Sequence, residues 1–535
     1  MLALGLFGVT LGGTYVYDDF DVFQLDNRLR SPAQWGRYWT ESYTGGVDNL
    51  YRPLVSMTYA VQWWLHGADP RIDESDAWKY HLVNVLLHAG VSALVAELTR
   101  RLFGTRAAWV AGLLFAAHPI HVEPVANIVG RAELMCAAGV VGALVLMLKP
   151  LTTGRALAIT ACFLVALLSK EQGMLTPLLL LILAWTSREP AIIPPLPPGE
   201  DRGEGTRDVQ VLPYLSPPHP NSLLEGEGSR RRASRLLIIL LTWTFAAYIV
   251  LREQILKFWW DRSFLDWTIN PLIRPDADRW TMPLVLLGRY ALLLVAPWKL
   301  SPDYGATVIG WTVRSTDSYL YIGILAIAAW ILWLMLALRR RNHGTVFCLL
   351  ALALTYGMVS NFPVLIGVNF AERLMYLPSV FFVMLVASLL VRWPRRVLVP
   401  LVSIVLILAS VRSFTYAHRW NDRERFYVTS LREQPRSIRL YLLLTSEYLG
   451  QGRLDDAARL AEEASQRLPD YWEVWIARAN VAMERGEFTE AERLLLRAMD
   501  TPRAPTARVA RWMMLLEHRR SATRPATTTT AEPPG

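Results

Sequence analysis

The sequence predicts an all-α protein: a polytopic membrane bundle of about eleven spans, followed by a short domain of helical repeats. Three observations predict this fold class. Hydrophobic residues make up 53% of the 535 residues, long apolar runs alternate with short charged segments, and a pattern near the C-terminus recurs with a period of 34 residues. The net charge of +9 does not indicate a nucleic-acid partner, because Arg and Lys cluster beside the apolar runs, where the cytoplasmic ends of membrane helices carry them.

The apolar runs supply the spans of the membrane domain, residues 1–412. Several are shorter than the ~20 residues of a perpendicular span, so their ends must include flanking residues. The predicted spans are 1–16, 80–98, 107–117, 134–148, 156–168, 174–185, 235–251, 319–338, 345–359, 375–391 and 397–411.

The basic residues give the orientation of these spans in the lipid bilayer. Clusters around Arg100, Lys149 and 339–341 mark alternate connections as cytoplasmic, which predicts the N-terminus inside and the C-terminus outside. To keep this alternation, the apolar run 282–297, with an arginine in its middle, is expected to be re-entrant or interfacial. The segment 189–234 is rich in Pro, Gly and charge, and we expect a disordered cytoplasmic loop there.

Residues 413–503 are predicted to form about two and a half tetratricopeptide repeats. The pattern Tyr441, Tyr448, Gly452, Ala457, Ala464 recurs 34 residues later as Trp475, Ala482, Gly486, Ala491, Ala498. Because so few repeats are marginally stable alone, we expect them to dock on the membrane domain or on another chain. Residues 504–535 are expected to contain a helical end and a disordered tail rich in Thr and Pro.

Polar residues accumulate in the loops assigned to the outer face, which favours a site there. Adjacent Asp18 and Asp19 could act as a general base, or one could hold a metal, or the pair could only cap a helix. His118 and His121 with Glu123 are possible ligands of a divalent metal, although their spacing is not a strong metal motif. The three cysteines, Cys136, Cys162 and Cys348, lie in apolar runs without paired spacing, which indicates neither disulfides nor a thiolate site.

Cationic residues beside acids occur in the same loops. Arg131 with Glu133, Lys170 with Glu171, and Arg373 with Glu372 could stabilise a phosphate leaving group, with the acids holding the cations in place. The alternative is that these residues form ordinary ion pairs at the membrane interface.

Seven motifs in order resemble those of the transmembrane and tetratricopeptide-repeat containing proteins, the O-mannosyltransferases of the C-type glycosyltransferase superfamily. The resemblance covers about residues 14–503. The motifs are Tyr17-Asp18-Asp19, Tyr51-Arg52-Pro53-Leu54, His81 with Asn84 and His88, His118 through Glu133, Lys170-Glu171-Gln172-Gly173, Ser301-Pro302-Asp303-Tyr304, and Ala371-Glu372-Arg373 with Tyr376 and Pro378.

The resemblance implies a membrane enzyme that moves a sugar, in the first instance mannose, from a polyprenyl-phosphate donor to Ser or Thr of a protein acceptor, with inversion. Asp18 or Asp19 would be the base, and Glu123 would orient donor or acceptor. By charge complementarity, Arg131, Lys170 and Arg373 would bind the donor phosphate. The repeats would hold the acceptor. The supporting residues would be Arg52, His118, His121, Glu133, Glu171 and Glu372.

The short repeat array, the Pro-rich loop and the short first helix point to a bacterial member. The site and repeats would then be periplasmic, at the inner membrane, or lumenal in the endoplasmic reticulum if the chain is eukaryotic. Two other classes stay open: a transferase acting on a glycolipid or polysaccharide, and a membrane-anchored scaffold without enzymatic activity. A lipid-linked sugar transporter should place more charges within its spans.

Overall fold

A computed structural model describes residues 1–23, 26–43, 50–66, 76–187, 220–256, 269–502, 504 and 506–523. Every regular element in these ranges is a helix, which confirms the all-α prediction. The helices up to the first half of the membrane domain are α1 Leu2–Phe7, α2 Asp19–Phe23, α3 Pro53–His66, α4 Ala77–Phe103, α5 Thr105–Ala117, α6 Val122–Ala126, α7 Arg131–Met147, α8 Thr153–Leu167, α9 Thr176–Thr186 and α10 Pro220–Leu256. The remaining helices are α11 Met282–Val295, α12 Ala306–Ile309, α13 Ser318–Arg339, α14 His343–Val359, α15 Tyr376–Leu390, α16 Arg395–Arg419, α17 Arg423–Glu433, α18 Ile438–Gly450, α19 Leu454–Arg467, α20 Trp472–Glu484, α21 Phe488–Met499 and α22 Thr506–Thr523.

Several of these helices are apolar enough to cross a membrane. In the described residues six are also long enough: Ala77–Phe103, Ile128–Met147, Arg231–Leu256, Ser318–Arg339, Glu372–Leu390 and Arg395–Arg419. Six shorter apolar helices accompany them: Leu2–Gly12, Thr105–Ala117, Thr153–Leu167, Glu171–Thr186, Met282–Val295 and His343–Val359. The structure therefore supports a polytopic bundle, while the number of crossings stays a prediction.

The long helix Ile128–Met147 lies at the centre of the bundle, since 89% of its apolar window is buried, against 11% for Ser318–Arg339. Small residues allow the close packing. A Cβ at Gly139 of α7 would lie 2.5 Å from the Cys162 carbonyl oxygen of α8, and a Cβ at Gly112 of α5 would lie 2.8 Å from Ala96 Cβ of α4. Helices inside membranes approach most closely at such residues.

The prediction of a disordered loop over residues 189–234 is wrong for residues 220–234, which are helical. Helix α10 begins at Pro220 and continues without a break into the apolar run. Pro is favoured in the first helical turn, and the Arg and Ala residues before the apolar run favour a helix. Residues 188–219 lie outside the described ranges.

The C-terminal helices confirm the predicted tetratricopeptide repeats. Helices α18 with α19, and α20 with α21, form the two full pairs, and α17 is the second helix of the partial repeat. Gly452 and Gly486 take left-handed φ values of 73° and 77° at the two turns, which explains why Gly recurs there. Helix α16 runs unbroken through the predicted boundary at 412, so that the last apolar helix leads directly into the repeats.

Candidate functional site

Asp18 and Asp19 occupy very different surroundings. Asp19 is 1% exposed, and its carboxylate oxygens accept hydrogen bonds from the backbone N–H groups of Val16 over 3.2 Å and Val129 over 3.0 Å. Burial raises the pKa of Asp19 to about 8. The Asp18 side chain stays 21% exposed and accepts a hydrogen bond from Arg439 Nη2 over 2.7 Å. Asp19 thus joins two loops, and Asp18 is the accessible acid of the pair.

Arg373 joins Asp18 to Glu123. Its Nη1 lies 3.2 Å from Asp18 Oδ2 and 2.5 Å from Glu123 Oε1. The Arg373 backbone N–H also donates to Glu123 Oε2 over 2.9 Å. The structure therefore brings together three residues that the sequence placed in three separate outer loops.

Both carboxylate oxygens of Glu123 accept hydrogen bonds from Arg373. Its side chain is 1% exposed, so it has little surface left for a substrate. Burial raises the pKa of Glu123, and the adjacent Arg373 guanidinium acts in the opposite direction. This arrangement indicates that Glu123 positions Arg373. The predicted role of Glu123 in orienting the donor or acceptor stays a prediction.

A second charged cluster contains Lys170 with Glu133, and Glu171 with two arginines. Lys170 Nζ forms a buried ion pair with Glu133. Glu171 lies 3.1 Å from Arg52 Nη2 and 3.6 Å from Arg252 Nη1. We call these residues, Arg52, Glu133, Lys170, Glu171 and Arg252, the second cluster.

The first cluster consists of Asp18, Glu123, Arg373 and Arg439, and the second cluster interacts with it electrostatically. Glu133 interacts with Glu123 of the first cluster and with Arg52 of the second. The sequence did not predict Arg252, because it lies at the end of an apolar run whose polar partners come from a distant part of the chain.

Arg131 does not belong to either cluster. Its side chain is wholly buried, and it donates to Asn84 Oδ1 over 3.0 Å, to Thr58 Oγ1 over 3.2 Å and to the Tyr80 carbonyl over 3.0 Å. The guanidinium also lies 4.5 Å from the centre of the Tyr59 ring. These contacts engage the Arg131 guanidinium within the protein, and its predicted contact with the donor phosphate stays a prediction.

The two histidines of the loop are held by neighbouring helices. His118 Nε2 lies 3.0 Å from the Leu294 carbonyl, and His121 lies 2.8 Å from both the Phe115 carbonyl and Ser379 Oγ. Burial lowers the pKa of His118 to about 4 and that of His121 well below its usual value. In the part of the chain that the structure describes, no group of three His, Cys, Asp or Glu residues is arranged to hold a metal.

Glu372 anchors the Ser301–Tyr304 motif. Its Oε1 accepts hydrogen bonds from the Ser301 backbone N–H over 2.7 Å and from the Tyr304 hydroxyl over 2.8 Å. Asp303 of the same motif accepts a hydrogen bond from Ser437 Oγ over 2.6 Å, at the start of α18. This motif therefore connects the loop that carries Arg373 to the repeat domain, and the expected docking of the repeats on the membrane domain is confirmed.

Arg439 was not predicted as a site residue from the sequence. It lies in the first turn of α18 and reaches Asp18, 421 residues earlier in the chain. Its guanidinium also lies 4.4 Å from the centre of the Tyr17 ring. No local motif marks Arg439, because its role depends on how the repeats dock.

Comparisons with known proteins agree with the predicted family. A model of the dolichyl-phosphate-mannose-protein mannosyltransferase family matches residues 61–196, and a tetratricopeptide-repeat model matches residues 448–511. The protein O-mannosyl-transferase TMTC4 of Homo sapiens is 26% identical over 510 residues, which cover 86% of this chain and 64% of the human protein. The protein O-mannosyl-transferase tmtc2 of Xenopus laevis is 38% identical over 141 residues, which cover 25% of this chain and 16% of the frog protein.

Among solved structures, the crystal structure of ArnT from Cupriavidus metallidurans bound to undecaprenyl phosphate aligns with 80% of this chain and 78% of that chain. The sequence identity is 14% and the TM-score is 0.33, which is too low to relate individual residues of the two sites. The chain spans less than two thirds of the length of these curated relatives. The similarity over 86% of this chain and the shared repeats support the predicted resemblance to the transmembrane and tetratricopeptide-repeat containing proteins.

Proposed function

We propose that this chain transfers a sugar, in the first instance mannose, from a polyprenyl-phosphate carrier to a Ser or Thr hydroxyl of a protein acceptor. The matched family model is described as a dolichyl-phosphate-mannose-protein mannosyltransferase, and the relatives are named protein O-mannosyl-transferases. The observation that carries the proposal is the position of Asp18. This accessible acid lies between Arg373 and Arg439, where the membrane helices meet the repeats.

Asp18 is the proposed general base. Its carboxylate accepts the proton of the acceptor hydroxyl, and the acceptor oxygen forms a bond to the anomeric carbon of the sugar. The bond from that carbon to the phosphate oxygen breaks, and its electron pair leaves with the polyprenyl phosphate. Attack from the side opposite the leaving group inverts the anomeric carbon. Asp19 is assigned a structural role, because backbone N–H groups already occupy both of its oxygens.

The cations of the second cluster are the proposed binding groups for the donor phosphate. The second cluster contains Arg52, Lys170 and Arg252 but only two acids, Glu133 and Glu171. This excess of positive charge suits an anionic phosphate. Arg373 is the proposed link between the phosphate and the base, since its guanidinium already contacts Asp18.

The proposed site lies on the non-cytoplasmic face. Basic residues mark the opposite connections as cytoplasmic, and the docked repeats lie beside Asp18, where they can present an acceptor polypeptide. We propose a bacterial inner membrane with a periplasmic site; in a eukaryotic cell the equivalent location is the lumen of the endoplasmic reticulum.

The test is transfer of labelled sugar from polyprenyl-phosphate donors to protein, in membranes that contain the full chain. We expect Asp18→Asn to reduce transfer about 10²- to 10⁴-fold, because an amide cannot accept the hydroxyl proton. The matched control is Asp470→Asn, which changes an exposed aspartate between the repeats and should transfer like the wild type.

The Asp19→Asn variant distinguishes the structural role proposed for Asp19 from the catalytic role proposed for Asp18. We expect it to lower the amount of folded protein, with the transfer per folded molecule reduced less than in Asp18→Asn. Full transfer by Asp18→Asn would exclude Asp18 as the base. If the wild-type chain labels no protein from any polyprenyl-phosphate donor but labels a lipid or a polysaccharide, the acceptor class is wrong. If it labels nothing, the transferase proposal fails.

A further inference from the structure

The Tyr17 backbone has an unusual conformation immediately before Asp18. Its φ is +62°, in the left-handed region that bulky residues rarely adopt. Residues persist in this region only where the surrounding structure holds them, and such positions often occur at functional sites. We therefore expect residues outside the N-terminal segment to hold the Tyr17 backbone in this conformation.

The repeat domain provides that contact. The Tyr17 backbone N–H donates to the hydroxyl of Tyr427, a buried residue of α17, over 3.1 Å. Arg439 of α18 lies against the Tyr17 ring and forms an ion pair with Asp18 over 2.7 Å. Two repeat-domain helices therefore hold the backbone before Asp18 and the Asp18 carboxylate itself.

Further contacts hold the segment that precedes this turn. Arg423 Nε donates to the Tyr15 carbonyl over 3.2 Å, and Asn421 Nδ2 donates to the Val9 carbonyl over 2.8 Å. These donors lie on both sides of the Asp422 N-cap of α17. The N-terminal segment is thus fixed along its length by the junction between α16 and the repeats.

We propose that the tetratricopeptide repeats are a structural part of the active site, in which Arg439 and Tyr427 are positioning residues for Asp18. This inference rests on the proposed function for its catalytic consequence. Its structural content is independent of that function: the repeats keep the Tyr17–Asp18 turn in its left-handed conformation. The repeats then do more than capture an acceptor, because the base is correctly oriented only while they are docked.

Hydrogen–deuterium exchange of the full-length protein tests the structural part. Tyr427→Phe removes only the hydroxyl that accepts the Tyr17 N–H. We expect amides around Tyr17 to exchange ~10-fold faster or more in this variant, because the turn opens more often. Arg439→Met should have a similar effect. Arg436→Met changes an exposed arginine three residues before Arg439 and should exchange like the wild type.

Steady-state kinetics test the catalytic part. We expect Arg439→Met to lower kcat by about 10- to 100-fold with the acceptor KM within about twofold of the wild type, since it misplaces the base. Arg439→Lys keeps the charge and should recover part of the lost kcat. A raised acceptor KM with unchanged kcat would overturn the proposal, because the repeats would then only capture the acceptor.

The two measurements distinguish failure of this inference from failure of the proposed function. Unchanged exchange around Tyr17 in both Tyr427→Phe and Arg439→Met would overturn the inference, whatever the chain transfers. Faster exchange in both variants, together with no transfer by the wild type, would support the structural coupling and contradict the proposed function.

Discussion

At the residue scale, two adjacent aspartates have different surroundings because of the turn at Tyr17. The left-handed Tyr17 backbone directs Asp18 toward Arg373 and Arg439, while Asp19 begins α2 and is enclosed by backbone N–H groups. A general base must be reachable by its substrate, so the exposure of Asp18 matters more here than the carboxyl group that both residues have.

Lys170 forms a buried ion pair with Glu133. Variants of this pair can show whether Lys170 only stabilises the fold or also binds the donor phosphate. Removing one partner of a buried ion pair leaves the other charge without compensation, which costs about 3–5 kcal/mol. We expect Glu133→Gln and Lys170→Met each to lower the free energy of unfolding by about this amount, and the double variant to lose less than the sum. Thermal unfolding of the purified protein measures these differences.

The transfer activity of the same variants identifies the function of Lys170. If Lys170 binds the donor phosphate, the double variant should regain stability without regaining transfer. Glu490→Gln is the control, since it breaks an exposed pair with Arg493 and should change stability by no more than about 0.5 kcal/mol. Additive losses in the double variant would contradict a direct interaction between Glu133 and Lys170.

Individual site residues could be predicted from the sequence only where a polar group interrupts apolar runs. That criterion identified Asp18, Glu123 and Arg373, which the structure brings into contact. It also selected Arg131, whose guanidinium is instead enclosed by Asn84, Thr58 and Tyr80. A sequence does not distinguish an arginine that faces a site from one that ties helices together, because both are polar residues near apolar runs.

At the element scale, α11 and α13 cross through a pair of glycines. A Cβ at Gly288 would overlap the Tyr319 carbonyl oxygen, and a Cβ at Gly323 would overlap the Leu284 carbonyl oxygen. Backbone therefore lies against backbone in both directions, as in small-residue contacts between membrane helices. Although α11 is only about 21 Å long at 1.5 Å per residue, this crossing fixes it firmly against a long apolar helix.

Gly288→Ala should separate these two helices. The added methyl group has no space, and overpacking typically costs about 1–3 kcal/mol, which we expect as a lower thermal midpoint and a lower yield of folded protein. Gly357→Ala in α14 is the matched control, since a Cβ there meets nothing within 4 Å. A Gly288→Ala protein as stable as Gly357→Ala would mean that α11 and α13 do not cross so closely.

Helix positions were predictable because apolar runs and the 34-residue period are local signals. The left-handed turns at Gly452 and Gly486 lie where the repeat pattern requires a glycine. The start of α10 at Pro220 was missed, because the prediction relied on the Pro, Gly and charge content of the whole segment 189–234. A composition average does not reveal that its last part continues into an apolar helix.

At the scale of the whole molecule, the repeats and the polar loops share one face. Asp18, Asp303 and the Tyr17 backbone all contact residues of α17 or α18 or of the turn between them. These contacts join parts of the chain more than 100 residues apart, so no local pattern could predict them. They also mean that one topology measurement on the repeats reports the side of the membrane on which the proposed site lies.

Cysteine labelling in intact cells or sealed vesicles makes that measurement. Arg459→Cys puts a thiol at an exposed position of α19, and Lys149→Cys puts one in a basic connection predicted to be cytoplasmic. The three native cysteines lie in apolar helices, where Cys136 and Cys348 are buried and Cys162 is partly buried. They should react slowly, and the wild-type chain supplies this background.

We expect a membrane-impermeant maleimide added outside to label Arg459→Cys at once and Lys149→Cys only after permeabilisation, because basic connections stay in the cytoplasm. The reverse result would put Asp18 and the repeats in the cytoplasm and would exclude an acceptor on the outer face. Labelling of both positions from outside would mean that one fewer or one more helix crosses between them. Among the described residues, the three shortest apolar helices between these two positions are Met282–Val295, Thr153–Leu167 and Glu171–Thr186. These three helices would then be the first to examine with further cysteines.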